Sequence, residues 1–115
     1  MVSKHDVKGS IGPEGGSLHV LLDKQRIAVL DSSTFRGGLY LNRVNVPEGH
    51  RGQGIGSALL DELTKSSRLA GYRFVIVEPG GYNPQDQGRR VRFYEKHGFV
   101  RQEEGFYLLD LEKKS

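Results

Sequence analysis

The chain has 115 residues, 36% of them apolar, 9% aromatic and 27% charged, a balance that excludes a disordered chain and fits one globular domain over residues 1–115. A formal charge of +3 is weak support for a nucleic-acid partner, and the absence of cysteine removes disulfides, thiolate metal sites and cysteine nucleophiles. Glycine is the outlier: 16 of 115 residues, about twice its usual share of roughly 7%.

Residues 1–16 read as polar, glycine-rich turn sequence without the apolar core of a signal peptide. No apolar run is long enough for a membrane span, and the expected location is the cytoplasm. Ser17 to Leu22 and Gln25 to Leu30 read as a hairpin turning at Asp23 and Lys24, followed by a loop from Asp31 to Gly38. Leu39 to Val46 reads as a strand, although neither face is cleanly apolar: Leu39, Leu41, Arg43 and Asn45 alternate with Tyr40, Asn42, Val44 and Val46. Ile55, Leu59, Leu60 and Leu63 then recur at helical spacing, predicting a helix that ends near Leu69 and Ala70 with Gly71 as its stop. Phe74 to Val77, within Arg73 to Glu78, suits a buried parallel strand and completes a βαβ unit. After a loop from Pro79 to Pro84, a second helix is expected from Gln85 or Asp86 to Lys96 or His97, with Gly98 ending it. Phe99 to Val100 and Phe106 to Leu111 complete a final hairpin, and the whole reads as a mixed α/β sheet with two helices.

The chemistry concentrates between the Leu39–Val46 strand and the first helix, in Arg51-Gly52-Gln53-Gly54-Ile55-Gly56. The first backbone N–H groups of a helix lack intrahelical partners and can cradle phosphate. Glycines let backbone approach the ligand without a Cβ clash, and Arg51 adds positive charge. The run lacks the Gly-Lys-Ser/Thr ending of a P-loop, and Ser57 stands where a dinucleotide fingerprint needs its third glycine.

The same run resembles the Q/R-x-x-G-x-G/A motif of the GCN5-related N-acetyltransferase (GNAT) family. Val44 to Pro47 is similar to that family's central strand, and Ser57 to Leu60 to the start of its acetyl-CoA helix. Phe93-Tyr94-Glu95-Lys96-His97-Gly98-Phe99 is similar to its second helical segment, so the resemblance spans about residues 39–110. It implies a GNAT-like, mostly antiparallel sheet with a splayed parallel strand pair and at least two helices, the N-terminal helices being reduced or absent.

By that resemblance, the cosubstrate is acetyl-CoA. Val44 and Val46 would bind its pantetheine arm through their backbone, and the amides of Arg51, Gly52, Gln53, Gly54, Ile55, Gly56 and Ser57 its pyrophosphate. Tyr94 corresponds to the tyrosine that protonates the departing thiolate, and Val46 N–H would serve the carbonyl oxygen. Glu78 resembles a position that supplies the general base, with Glu48 and His50 beside the loop as alternatives. The implied reaction moves an acetyl group to a primary amine of a small molecule or a protein; a non-catalytic CoA-binding module is the alternative.

Relatives place Asn and Ala where Gln87 and Arg90 stand here, and Asn83 falls earlier in the chain. Arg89, Arg92 and Lys96 share one helical face, suited to a solvated surface, the 3′-phosphate or an acidic acceptor. His97 reads as a cation at a helix C-terminus. His5 and His19 have no visible ligand partners, so no metal site, no membrane and no nucleic acid are expected. The acceptor site is expected to be open, to take an extended peptide, or to be completed by a second copy in a homodimer.

Overall fold

The computed structural model describes residues 7–22, 25–50, 54–80 and 83–112. Among them, seven strands form one sheet: β1 (Val7–Gly12), β2 (Gly15–Leu22), β3 (Gln25–Phe35), β4 (Gly38–Asn45), β5 (Phe74–Val77), β6 (Val100–Arg101) and β7 (Tyr107–Asp110). Their spatial order is β1-β2-β3-β4-β5-β7-β6. Helix α1 (Ile55–Leu69) connects β4 to β5, and α2 (Pro84–Lys96) connects β5 to β6. Only the β4–β5 pair is parallel; the other neighbours are antiparallel. This is the expected mixed sheet with a parallel pair. No helix precedes β4 among the described residues, and none of their helices is long and apolar enough to cross a membrane.

The predicted stripe of α1 is the centre of the core. Ile55, Leu59, Leu60 and Leu63 are each almost fully buried against Leu18, Leu30, Leu39 and Leu41 of the sheet. At the helix end, Gly71 N–H bonds Arg68 O and Tyr72 N–H bonds Ser67 O, the paired bonds of a glycine stop. Gly98 ends α2 in the same way, with Gly98 N–H on Glu95 O and Phe99 N–H on Tyr94 O. Helix α2 starts at Pro84, slightly earlier than expected: Asn83 Oδ1 accepts Asp86 N–H at 2.8 Å and caps it, with proline in the first turn.

Three features differ from the sequence reading. Residues 7–12 are a strand, hidden because Gly9 stands inside it at φ 106. A Cβ there would collide with the Ser17 carbonyl oxygen of β2. The expected loop from Asp31 to Gly38 is mostly strand: β3 continues to Phe35 and reverses at Arg36 and Gly37, both with positive φ (51 and 87). Its serines are spent across strands, with Ser32 Oγ donating to Gly16 O at 3.0 Å and Asn42 Nδ2 donating to Ser33 Oγ at 3.1 Å.

The third difference explains the untidy alternation of β4. Pairing runs Leu30 with Val44 and Asp31 with Arg43, then jumps to Ser32 with Leu41. Asn42 is therefore an extra residue, a β-bulge. It reverses the strand's parity, so that Leu39 and Leu41 on one side of it and Val44 on the other share the α1 face. Asn42 and Arg43 both leave on the opposite face, where they meet Ser33 and Asp31. The hydroxyl of Tyr72, between α1 and β5, adds a remote tie: it accepts from Gly15 N–H at 3.0 Å and donates to Gly12 O, holding the β1–β2 turn.

Candidate active site

The parallel pairing of β4 with β5 covers only Leu39 with Val75 and Tyr40 with Ile76. It stops where the bulge begins, and beyond it the two strands open a cleft of about 500 Å³. One wall is β4 and its continuation, from Leu41 to Val46. The other is the end of β5, at Val77 and Glu78. The first turn of α1 and the inner side of α2 close the remaining sides.

Gly54 caps α1 in the left-handed region, at φ 79, and contributes no side chain to the cap. The first i→i−4 bond is Ala58 N–H to Gly54 O, so the amides of Ile55, Gly56 and Ser57 precede the helix ladder. No acidic side chain occupies this first turn, leaving the positive end of the helix dipole for an anion. A Cβ on Gly56 would lie 3.0 Å from Phe93 Cζ and 3.8 Å from Val46 Cγ2. Glycine at 56 thus lets α2 and the end of β4 close on the first turn of α1. These residues fit a CoA pyrophosphate: three amides ahead of the helix ladder, the positive end of a helix dipole and open space where a Gly54 side chain would stand.

Tyr94 projects from α2 into the cleft and is buried, its ring edge-on to Phe93 (centroids 5.3 Å apart) and to Phe99 (5.4 Å). Burial pushes its phenol up to about 12, against the opposing pull of Arg90. The hydroxyl therefore stays protonated at neutral pH and makes no hydrogen bond among the described residues. Glu78 is exposed at the end of β5, within the same cleft.

Of the site residues read from the sequence, Val44, Val46, Gly54, Ile55, Gly56, Ser57, Tyr94 and Glu78 line this one cleft, and His50 joins them. Arg51, Gly52 and Gln53 lie outside the described residues, as does the side chain of Glu48. The basic face of α2 divides: Arg89 and Lys96 line the cleft, whereas Arg92 lies against Gly88. Arg90 lines it too, and Arg89 and Arg90 both pair with Asp86, Arg90 Nε at 3.3 Å from Asp86 Oδ2.

His97 stands at the α2 C-terminus as expected, but partly buried, in surroundings that oppose the expected cation. Its Nε2 lies 2.9 Å from Ser57 Oγ, its Nδ1 3.7 Å from Asp61 Oδ1, and its ring packs on Phe93 at 5.1 Å. Burial lowers its pKa below 6.5, outweighing the upward pull of Asp61. Sequence reading also missed Asn42 and Arg43 as cleft residues; the broken alternation of β4 was the available signal. Arg43 donates from Nε to Asp31 Oδ2 at 2.9 Å, and Asp31 Oδ1 accepts from Ser17 Oγ at 2.6 Å. The Ser17 bond, with Arg43 behind it, holds the Asp31 carboxyl below its usual range against partial burial. Among the described residues, no group of three or more His, Asp or Glu side chains could hold a metal ion.

Comparison with known proteins agrees with this geometry. Residues 14–101 match the acetyltransferase (GNAT) domain family. No curated protein matches the sequence. Among solved structures, a GNAT-family protein from Desulfovibrio desulfuricans is similar at 22% identity and TM-score 0.74, covering 84% of this chain and 69% of that one. The ribosomal-protein-S18-alanine N-acetyltransferase of Escherichia coli is similar at 17% identity and TM-score 0.69, covering 86% and 70%. A GNAT acetyltransferase of Elizabethkingia anophelis, solved with acetyl-CoA bound, is similar at 16% identity and TM-score 0.68, covering 84% and 76%. With the family match running over most of its length, and with the splayed strands and glycine-flanked helix start already described, this chain belongs to the GNAT acetyltransferase family.

Proposed function

We propose that this chain is an N-acetyltransferase that passes the acetyl group of acetyl-CoA directly to a primary amine. The observation that carries the reading is one cleft, beginning at the β4 bulge, that joins the start of α1, which has no side-chain cap, to the Tyr94 phenol. Acetyl-CoA supplies an activated acyl group as a thioester; the protein's part is to hold it, to admit the amine and take its proton, and to stabilise the departing sulfur.

The amides of Ile55, Gly56 and Ser57 take the pyrophosphate, and the backbone of Val44 and Val46 takes the pantetheine arm. An ammonium acceptor must lose a proton before it can attack. Glu78 is the residue for that task, directly or through one water, because it is the carboxylate among the described cleft-lining residues. At the other end of the reaction, Tyr94 offers its O–H to the departing sulfur. A phenol at about 12 is a weaker acid than a thiol near 8.5, so its contribution is a hydrogen bond to the developing negative charge on sulfur; Tyr94 keeps its proton, and the sulfur leaves as thiolate and is protonated by water.

The test is calorimetric binding of CoA to the purified chain, followed by thiol release from acetyl-CoA with a panel of primary amines. Micromolar CoA binding with amine-dependent release supports the enzyme. CoA binding with no release on any amine replaces it with the binding-module reading, and no CoA binding overturns both.

A further inference from the structure

The acceptor side of the cleft has its own chemistry. The bulge sends Asn42 and Arg43 to the sheet face opposite α1, whereas the phosphate-binding turn lies on the α1 side. A thioester held between the splayed strands is therefore reached from the Arg43 side. Among the described residues, four cations line the cleft, Arg43, Arg89, Arg90 and Lys96, and Glu78 is the one carboxylate. A polyamine would meet mostly like charge there. Arg89, Arg90 and Lys96 all belong to α2; Arg43 alone comes from β4.

Arg89 and Arg90 pair with Asp86 of their own helix, whereas Arg43 is supported from a neighbouring strand. Asp31 receives its Nε at 2.9 Å and one terminal nitrogen at 2.7 Å, and Ser17 holds the other Asp31 oxygen. That leaves the second terminal nitrogen of the guanidinium with its N–H donors for a ligand, on a side chain 59% exposed. An arginine held by a carboxylate across strands is oriented before its ligand arrives, which lowers the ordering cost of a charge-assisted hydrogen bond.

We propose that the acceptor is a small amine that also carries a carboxylate, of the α-amino acid class, with Arg43 binding the carboxylate while the amine faces Glu78. This rests on the acetyltransferase reading above.

The experiment pairs amino acids with their decarboxylated amines. Binding to the CoA-loaded protein is read by calorimetry, and acetylation by thiol release. At least one amino acid should bind and react with kcat/KM about tenfold or more above its decarboxylated counterpart. Arg43→Ala should raise the KM for that amino acid by about 10- to 100-fold while kcat moves less than threefold and the KM for acetyl-CoA stays put; Arg43→Lys should recover part of the loss. Equal or better use of the decarboxylated amines overturns the proposal. So does a rise in the acetyl-CoA KM in Arg43→Ala, which would assign Arg43 to the cosubstrate, or a CoA-loaded protein that binds no amino acid. Failure to bind CoA at all overturns the acetyltransferase reading itself and this proposal with it.

Discussion

The Ser57 hydroxyl lies 2.9 Å from Nε2 of His97, tying the first turn of α1 to the end of α2. In the neutral tautomer that carries its proton on Nδ1, the nitrogen facing Asp61, the hydroxyl donates and Nε2 accepts. Burial keeps His97 neutral by lowering its pKa, while Asp61 opposes and Lys96 assists. An unfolded His97 takes up its proton near pH 6.5, whereas the folded one does so only at lower pH. Between those two values the unfolded chain binds more protons, so folding stability is fully present above about pH 6.5 and declines as the pH falls toward the folded value. Urea unfolding from pH 7.5 to 5 should show that decline, and His97→Gln should flatten it. An NMR titration placing the His97 pKa above 6.5 would contradict the account.

Tyr94→Phe should separate chemistry from packing. The ring contacts with Phe93 and Phe99 remain, so the unfolding midpoint in denaturant should barely move. Loss of the O–H near the leaving sulfur should lower kcat by about 100-fold, with little change in CoA affinity. Because burial holds the phenol near 12, Tyr94 should also contribute nothing to the pH–rate profile below pH 10. Ultraviolet absorbance of the phenolate, compared between wild type and variant, checks this directly.

Gly56→Ala sets two effects against each other. Alanine favours a helix over glycine by up to about 1 kcal/mol, while its Cβ would press on Phe93 Cζ at 3.0 Å, an overpacking that costs about 1–3 kcal/mol. The net change in stability should therefore be a small loss. The binding turn is less forgiving, since Phe93 must move away from it. CoA affinity should fall about tenfold by calorimetry, equivalent to about 1.4 kcal/mol; unchanged affinity would show that the turn does not meet the cosubstrate closely.

Tyr72→Phe should cost about 1–3 kcal/mol, because one hydroxyl serves both Gly15 N–H and Gly12 O. The loss is local to the β1–β2 turn. Amide hydrogen exchange at Gly15 should accelerate more than exchange in α1, whose core contacts do not involve that hydroxyl.

The legible parts of this molecule are those where one periodicity runs uninterrupted. The stripe Ile55, Leu59, Leu60 and Leu63 could mean only a helix packed on one face, and Gly71 and Gly98 marked where each helix stops. Phe74 to Val77 was equally plain, as a strand buried by its neighbours on both edges. The glycine motif and the Tyr94 segment were readable because their residue order is itself the signal, and the fold brings Gly54, Gly56 and Tyr94 into one cleft. What stayed hidden depends on partners far away in sequence. Gly9 looks like a turn until Ser17 is beside it. Ser32 and Ser33 look like loop until Gly16 and Asn42 supply their hydrogen bonds. His97 looks like a surface cation until Ser57, forty positions earlier, turns out to face it.

Asn42 carries a consequence for how this chain tolerates change in length. Deleting that one residue would leave Leu39, Leu41, Val44 and Val46 on a single, perfectly alternating side, and Tyr40, Arg43 and Asn45 on the other. By pattern the shortened strand would look better made, with nothing to interrupt its pairing with β5 past Tyr40. The cleft between the two strands would then be zipped shut by backbone hydrogen bonds. The irregular residue sits where two neighbouring strands part, and a tidier β4 would make a sturdier sheet without the cleft.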